Sequence, residues 1–138
     1  MTFDVVRPPG LMTPSGFNHG MLAAPGGRIL FVAGQAPTDA NGRVIAGGFA
    51  AQFGRALRNC IEVVRAAGGK PEDVGRFTIF VKDMAAYRAA RRELAAVWRD
   101  VMGRHYPAVA LLEVKDLVDE GALVEIEATA VIAGGEGS

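Results

Sequence analysis

The spacing of apolar residues changes several times along the chain, and each change predicts a different element. A continuous apolar run at residues 29–33 predicts a strand, and the Pro-Gly-Gly sequence at 25–27 predicts a turn back from an earlier strand around residues 21–23. Because that run is apolar at odd and even positions alike, the strand needs cover on both faces. The Asn-Gly pair at 41–42 favours a turn before a short extended segment at 44–45.

A helical period replaces the strand pattern from residue 49 onward. It extends to Ala67 and is carried by Phe49, Phe53, Leu57, Ile61 and Val64. Gly68-Gly69 then ends the first helix as a C-terminal cap. A second helix is predicted from Asp83, whose carboxylate can cap it, through Met102. Its apolar stripe consists of Tyr87, Ala90, Leu94, Trp98, Val101 and Met102, and the charged residues of the helix, Arg99 among them, mostly occupy the other positions.

Three further strands surround and follow that helix. In residues 76–82, Phe77, Ile79 and Val81 alternate with mostly polar neighbours, which predicts a strand buried mainly on one face. Strands are also predicted at 108–114 and 123–132, with a polar turn at 119–121 between them.

The order of these elements predicts an α+β fold, with a mixed six-stranded sheet and two helices on one of its faces. We expect one domain over residues 1–138, with disorder through Ser15 and again in residues 134–138. No helix is left for the opposite sheet face, although several strands are apolar on both sides. We therefore expect other copies of the chain to cover that face in a closed homo-oligomer.

Composition narrows the class of protein. Fifteen Lys and Arg residues balance fifteen Asp and Glu residues, and 50% of the 138 residues are hydrophobic, which fits one globular domain. Zero net charge argues against nonspecific nucleic-acid binding, since neutralising phosphates needs a surplus of basic residues. No apolar run approaches the roughly 18 residues of a membrane span, so no membrane segment is expected. With one cysteine and no basic-then-apolar N-terminus, we expect a cytoplasmic protein.

Most catalytic constellations are missing from the sequence. The two histidines, His19 and His105, have no metal-ligand spacing to each other or to Cys60, so we expect no metal site. No glycine-rich phosphate loop is present, and we expect no cofactor. Both serines lie near the chain ends. Cys60 falls close to the apolar stripe of the first helix, where an inert core thiol is favoured over a reactive one.

The remaining candidate for chemistry is a carboxylate on the last strand. Glu125, Glu127 and Thr129 share one face, because side chains alternate along a strand. This face is either a solvated surface or a surface that meets a neighbouring subunit. In the second case, a partly buried carboxylate can orient a water molecule or move a proton.

Five segments of the sequence occur together in one known family. They are Phe31-Val32-Ala33-Gly34-Gln35-Ala36-Pro37, Asn59 followed by Ala66-Ala67-Gly68 and Asp73-Val74, Phe80-Val81-Lys82-Asp83-Met84, Tyr106-Pro107-Ala108, and Val124-Glu125-Ile126-Glu127-Ala128. In this order and spacing they resemble the RidA/YjgF reactive-intermediate deaminases over nearly the whole chain. The resemblance implies a chorismate-mutase-like fold assembled as a homotrimer. The sheets of the trimer would form a central barrel, with a small-molecule ligand in a cleft at each subunit interface.

The best-known members of that family hydrolyse 2-imino and enamine acids to 2-oxo acids and ammonia. In them, an arginine after Pro-Ala holds the substrate carboxylate, and a glutamate on the last strand positions the attacking water. The resemblance therefore makes Glu125 the expected catalytic residue. The arginine matches Val109, which has no hydrogen-bond donor, so binding of a free 2-imino carboxylate should be sharply weakened.

Other pocket positions of the family also differ in this sequence. The matching residues are Phe17 for a tyrosine, Ala33 for a serine, Arg91 for an asparagine and Leu111 for a cysteine, whereas Gly34 and Gln35 are retained. Together with Val109, these are the substrate-binding residues that the resemblance implies. The apolar replacements either select a more apolar ligand or fill a cavity no longer used. Arg91 either replaces the missing clamp or is a solvated arginine on its helix.

Two classes of function remain open. The first is a trimeric hydrolase of a reactive enamine or imine, with a substrate range altered by Val109. The second is a trimeric small-molecule-binding or chaperone-like protein that has lost the deaminase chemistry. A third activity described in this family, endoribonuclease and translation inhibitor, is disfavoured by the charge balance and by the lack of a His/Lys catalytic set.

Overall fold

The computed structural model describes residues 2–134 and has the expected α+β class. The described elements are, in chain order, β1 Phe3–Val6, β2 Gly20–Ala23, β3 Arg28–Gln35, α1 Phe49–Ala66, β4 Val74–Val81, α2 Met84–Ala89, α3 Arg91–Met102, β5 Ala108–Glu113 and β6 Val124–Ile132. A single 3₁₀ turn, Pro71–Asp73, leads into β4. Within residues 2–134, no helix combines the length and the apolar character that crossing a membrane requires.

The strands form two sheets, so the prediction of one six-stranded sheet is wrong. A four-stranded sheet has the order β3-β6-β4-β5, in which only the β4–β5 pair is parallel. A separate antiparallel pair joins β1 to β2. The predicted turn at residues 25–27 therefore connects the two sheets and does not close a hairpin between β2 and β3. The expected extended segment at 44–45 is reduced to one bridge, between Thr38 and Val44.

The N-terminal segment is ordered where the sequence predicted disorder. Residues 3–6 form β1, and the Phe3 side chain is 6% exposed, with its ring close to the backbone of Gly75. Thr2 Oγ1 also donates a hydrogen bond of 2.6 Å to the buried Asp73 carboxylate. The two residues that hold this segment in place, Asp73 and Gly75, lie far from it in the sequence. The prolines and glycine that follow β1 therefore led to a wrong prediction of disorder for residues 3–6. Residues 135–138 of the expected disordered tail lie outside the described residues.

Helix α1 ends where the sequence predicted. Gly68 has φ +87°, a conformation that glycine adopts without the steric penalty of a Cβ atom. The Gly68 N–H donates to the Arg65 carbonyl and the Gly69 N–H donates to the Val64 carbonyl, both at 2.9 Å. This pair of bonds is a Schellman motif, and it satisfies carbonyls that the end of the helix leaves without partners.

The second predicted helix is divided into two. Asp83 caps it as expected, because its Oδ1 accepts hydrogen bonds from the N–H groups of Ala85 and Ala86 at 2.9 and 3.4 Å. The helix then breaks at Ala90, whose N–H donates to the carbonyls of both Ala86 and Tyr87 at 3.1 Å. Ala90 is buried, and neither proline nor glycine marks the break, so the apolar period runs through it unchanged.

The two faces of the four-stranded sheet have different surroundings. On the helix face, defined by Val32, Phe77, Ile79, Ile126 and Ala128, side chains are buried beneath α1 and α3. On the opposite side of the sheet is the open face, which is defined by Ile29, Phe31, Phe80, Leu112, Glu125 and Glu127. Each of these residues alternates along its strand with residues of the helix face or lies opposite another open-face residue on the neighbouring strand. None of the helices described covers it, and Ile29, Phe31 and Leu112 are 65%, 77% and 40% exposed.

Candidate functional site

A cleft of about 440 Å³ lies on the helix face, at the edge of the sheet formed by β5. Its walls come from α3, from β5 and from the loop before β2. Four residues that the sequence predicted for substrate binding line it, namely Phe17, Arg91, Val109 and Leu111. The structure therefore brings these four together within one chain.

The loop that carries Phe17 is held against the start of β5. The Asn18 N–H donates to the Pro107 carbonyl at 3.0 Å, and Asn18 Nδ2 donates to the Tyr106 carbonyl at 2.6 Å. The Phe17 ring also packs edge to face on His19, with centroids 5.3 Å apart. Because Asn18 bridges to the segment just before β5, the half-buried Phe17 is held at the wall of the cleft that Val109 also lines.

Trp98 forms a rigid wall of the cleft. Its indole N–H donates to the His105 carbonyl at 3.1 Å, and its ring contacts Phe77 edge to face at a centroid distance of 5.5 Å. The Tyr106 ring stacks on it at 6.2 Å with only 5° between the two planes. The sequence placed Trp98 in an apolar stripe, and did not show that the stripe borders a cleft. Tyr106 appeared only as part of a family segment, with no role.

The charged part of the cleft wall is cationic. Arg91 and Arg99 both line it from α3, and both side chains are exposed. Neither makes an ion pair within residues 2–134, and no carboxylate of those residues lines the cleft. Arg91 was predicted as a site residue, whereas the helical period placed Arg99 on the polar side of the helix. The cleft thus combines an apolar interior with two positive charges, which suits an anionic ligand with an apolar part.

Val109 and Leu111 face the cleft from the edge strand. In the parallel β4–β5 pair, Val109 lies opposite Phe77 and Leu111 opposite Ile79, so both point to the helix face. Both are half-buried. Val109, which the sequence resemblance matches to the family's arginine, offers no hydrogen-bond donor to a ligand.

Glu125 lies on the open face, above the backbone of Gly34. A Cβ atom at Gly34 would stand 3.1 Å from Glu125 Cδ and still closer to one carboxylate oxygen, so only glycine allows this approach. Gly34 belongs to a β-bulge, because Val32 pairs with Ala128 whereas Gln35 pairs with Ile126. Ala33 in the same bulge is exposed, and its carbonyl accepts a hydrogen bond of 3.1 Å from Gln35 Nε2.

The predicted site residues are therefore separated into two groups by the sheet. Glu125 lies opposite Phe80 in the β4–β6 pair, on the open face. Ile79, the neighbour of Phe80 along β4, points the other way and lines the cleft. A single chain does not bring Glu125 and Gly34 together with Phe17 and Val109.

A reactive thiol and a metal site were the other candidates for chemistry. Cys60 is fully buried, and its Sγ donates to the Ile126 carbonyl at 3.2 Å. Burial, with a smaller contribution from the charge of Glu127, raises the pKa of the Cys60 thiol to about 12. The thiol therefore stays protonated at neutral pH, and the prediction of an inert core cysteine is confirmed. Among residues 2–134, no group of three His, Cys, Asp or Glu side chains is placed to hold a metal ion.

Comparison with known sequences gives matches over most of the chain. The family model described as Endoribonuclease L-PSP matches residues 13–132. A RutC family protein of Pyrococcus horikoshii is 33% identical over 105 residues, which cover 75% of this chain and 79% of that protein. The 2-iminobutanoate/2-iminopropanoate deaminase of Salmonella typhimurium is 31% identical over 105 residues, covering 76% of this chain and 80% of the enzyme.

Comparison with solved structures agrees. A protein of the conserved Rid family from Yersinia pestis, described as of unknown function, superposes with a TM-score of 0.83 at 34% identity. The match covers 96% of this chain and 100% of that one. The sequence match, the shared fold and the five family segments lead to one conclusion: the chain belongs to the RidA/YjgF family.

Proposed function

We propose that this protein hydrolyses a small reactive enamine or imine, with release of ammonia, in clefts between the subunits of a homotrimer. The observation that carries the proposal is the position of Glu125, whose carboxylate lies over Gly34 on the open face. A relative that is 31% identical is named for the deamination of 2-iminobutanoate and 2-iminopropanoate. The proposed trimer supplies what one chain lacks, because the open face of one subunit would meet the cleft of its neighbour.

The proposed reaction needs one proton acceptor and one water molecule. The Glu125 carboxylate accepts a proton from water as the water oxygen bonds to the imine carbon. The protonated Glu125 returns that proton to the nitrogen, which gives a neutral carbinolamine. Glu125 then accepts the hydroxyl proton as the carbonyl forms and the carbon–nitrogen bond breaks, and it passes this proton to the nitrogen, which leaves as ammonia. In the proposed scheme, backbone N–H groups near Gly34 would bind a substrate oxygen. Apart from the water and the substrate, the groups of this scheme belong to the chain.

The proposed homotrimer is supported by the composition of the open face. Phe31 and Ile29 are among the most exposed large apolar side chains described, at 77% and 65%. Burying one such side chain in an interface stabilises it by about 1.5–3 kcal/mol. The apolar content that the two helices do not cover would be buried between copies of the chain.

The proposed substrate range differs from that of the named deaminases because Val109 lacks a donor. A carboxylate clamp at this position contributes charge-assisted hydrogen bonds, which valine cannot replace. Phe17 and Leu111 also make the cleft wall more apolar. We therefore expect weak activity toward the smallest 2-imino acids.

The test measures ammonia released from imines that a pyridoxal-phosphate enzyme generates in the same vessel. Glu125→Gln should lower the rate by at least about 100-fold, the usual contribution of a general base. Glu127→Gln is the matched control, since Glu127 lies two residues further along the same face and is exposed. Equal rates for the wild type and the Glu125 variant would refute hydrolysis through this residue.

A non-catalytic binding protein is the second candidate, and Val109 is the observation that favours it. Such a protein would bind ligands in thermal-shift measurements without consuming them or releasing ammonia. Cleavage of RNA is not part of the proposal, although the family model carries that description. The two histidines, which RNA cleavage could use as acid or base, both contact the backbone. Nε2 of His19 and Nε2 of His105 lie within hydrogen-bond distance of backbone carbonyls, at 2.8 and 2.7 Å.

A further inference from the structure

Arg99 is a cation of the cleft that the sequence pattern did not connect with ligand binding. It lines the cleft next to Trp98 and Ala95 on α3. Its side chain is exposed, and no carboxylate among residues 2–134 forms an ion pair with it. An unpaired guanidinium beside an apolar cleft is available to a ligand anion.

Arg99 lies at the end of the cleft where Val109 is found. Trp98, its neighbour on α3, contacts Phe77, and Phe77 is the register partner of Val109. Tyr106, which stacks on Trp98, comes just before Val109 in the chain. The C-terminal half of α3 therefore passes over the start of β5.

Arg91 occupies a different part of the same cleft. It lies about 12 Å from Arg99 along the helix axis, from the rise of 1.5 Å per residue. The two arginines thus stand at opposite ends of one helix face, and the interior positions between them are Leu94, Ala95 and Trp98. Of the two, Arg99 is the one close to the position of the missing arginine.

We propose that Arg99 holds the carboxylate of the ligand at the Val109 end of the cleft. The rest of the ligand is a bulky apolar group, aromatic or branched, that extends along α3 toward Leu94 and Leu111. This inference rests on the proposed function, because it assigns a substrate class to the same cleft. In this proposal, the ligand anion is bound from the last turn of α3 and not from the strand, where the family has its arginine.

The size and the walls of the cleft support a bulky ligand. Its volume of about 440 Å³ falls within the roughly 300–1,000 Å³ of typical ligand pockets and exceeds what a three-carbon acid fills. Phe53, Leu94, Val109 and Leu111 line its interior. Phe53 and Leu94 are already buried in the chain, so binding an apolar group there removes the half-buried Val109 and Leu111 from water.

The competing explanation for Arg99 is structural. A basic residue in the last turn of a helix interacts favourably with the helix dipole. That role affects the stability of α3 and leaves the affinity for a carboxylate unchanged. A binding measurement therefore separates the two roles.

The experiment is calorimetric titration of the purified protein with phenylpyruvate, a stable 2-oxo acid with an aromatic group, and with pyruvate. We expect the wild type to bind phenylpyruvate at least about tenfold more tightly, because the phenyl ring is buried. Arg99→Gln should weaken phenylpyruvate binding by at least about tenfold. Arg99→Lys should recover part of the loss, since it restores the charge without the planar fork. Arg92→Gln, an exposed arginine of the same helix outside the cleft lining, is the matched control.

Several results would overturn the inference. They are unchanged affinity in Arg99→Gln, a larger loss in Arg91→Gln than in Arg99→Gln, equal affinity for the two acids, or no binding of phenylpyruvate by the wild type. Because the titration needs no turnover, it fails or succeeds separately from the ammonia assay. A wild type that binds phenylpyruvate through Arg99 and releases no ammonia from any imine refutes the proposed hydrolysis alone.

Discussion

Both faces of the four-stranded sheet carry apolar side chains, yet the chain completes only one of them. On the helix face, Phe77 and Ile126 are fully buried, and a cleft lies at the β5 edge. On the open face, Phe31 is 77% exposed and lies opposite Thr129 of β6, the strand that also carries Glu125 and Glu127. The helix face is thus a finished core with a cleft at its margin, whereas the open face has the composition of an interface.

The comparison shows why catalytic and binding groups can lie on different faces of one sheet. Glu125 and Val109 come from strands that both pair with β4, but they point in opposite directions. In the proposed trimer, each subunit would contribute its cleft to one site and its open face to another. The predictions below test this division of roles, beginning with the largest expected effect.

The largest effect is expected on the open face. Phe31→Asp places an unpaired charge in the proposed interface, at a cost that exceeds the apolar gain. We expect the protein to change from trimer to monomer and to lose ammonia release, as measured by light scattering coupled to gel filtration and by the coupled assay. Val118→Asp is the control, because Val118 is 96% exposed in the β5–β6 loop. A trimeric Phe31 variant, or a monomeric wild type, would exclude this face as the interface.

The next effect concerns the contact between Gly34 and Glu125. Gly34→Ala adds a Cβ atom that must displace the Glu125 carboxylate. We expect kcat to fall by about 100-fold, because the base loses its position, while the unfolding temperature changes little. Gly10→Ala provides the comparison, since a Cβ atom there meets nothing within 4 Å. Full activity in the Gly34 variant would show that the position of Glu125 does not matter for turnover.

A smaller, opposite effect is expected at the edge of the helix face. Val109→Arg introduces the donor that the family resemblance implies at this position, so kcat/KM for 2-iminopropanoate should rise by about tenfold. Val109→Leu adds volume without a donor and should produce no such gain. If the arginine variant folds, as circular dichroism would show, and gains no activity, Val109 is not the reason for the altered substrate range.

The smallest effect tests how completely the core of the helix face excludes water. Cys60 has its pKa raised from 9.0 to about 12, chiefly by burial. Its folded-state pKa is above the unfolded value, so the stability linked to its proton is fully present below pH 9 and is lost as pH rises toward 12. Between pH 8 and pH 10, the wild type should lose about 1 kcal/mol more than Cys60→Ala in urea unfolding. Equal losses would mean that the thiol reaches water.

Much of the fold was predictable where local signals agreed with each other. In α1, the helical period and the Gly68-Gly69 cap specify the same boundary, which the structure has. In β6, strict alternation of apolar and polar residues places Glu125 and Ile126 on opposite faces of the sheet, and the burial pattern of the strand confirms it. The break at Ala90 was not predictable, because no proline or glycine marks it in the sequence.

The N-terminal strand and the cleft depend on distant contacts. Phe3 becomes ordered against Gly75, a partner that no local pattern indicates. Similarly, an apolar stripe on a helix has the same period whether it fills a core or borders a cavity. The sequence could therefore assign Trp98 to the stripe and Arg99 to the charged side, but not bring them to one cleft.

The β-bulge in β3 makes the length of this segment as important as its composition. Three steps along β3, from Val32 to Gln35, match two steps along β6. Deleting Ala33 would make the two counts equal, so the pairs Val32–Ala128 and Gln35–Ile126 would stay in register and only the bulge would be lost. Deleting Phe31 instead would shift the residues before it by one position along β6 and turn their side chains to the other face. A scan of one-residue deletions would therefore find tolerance at the bulge and intolerance beside it, a difference that a substitution scan does not detect.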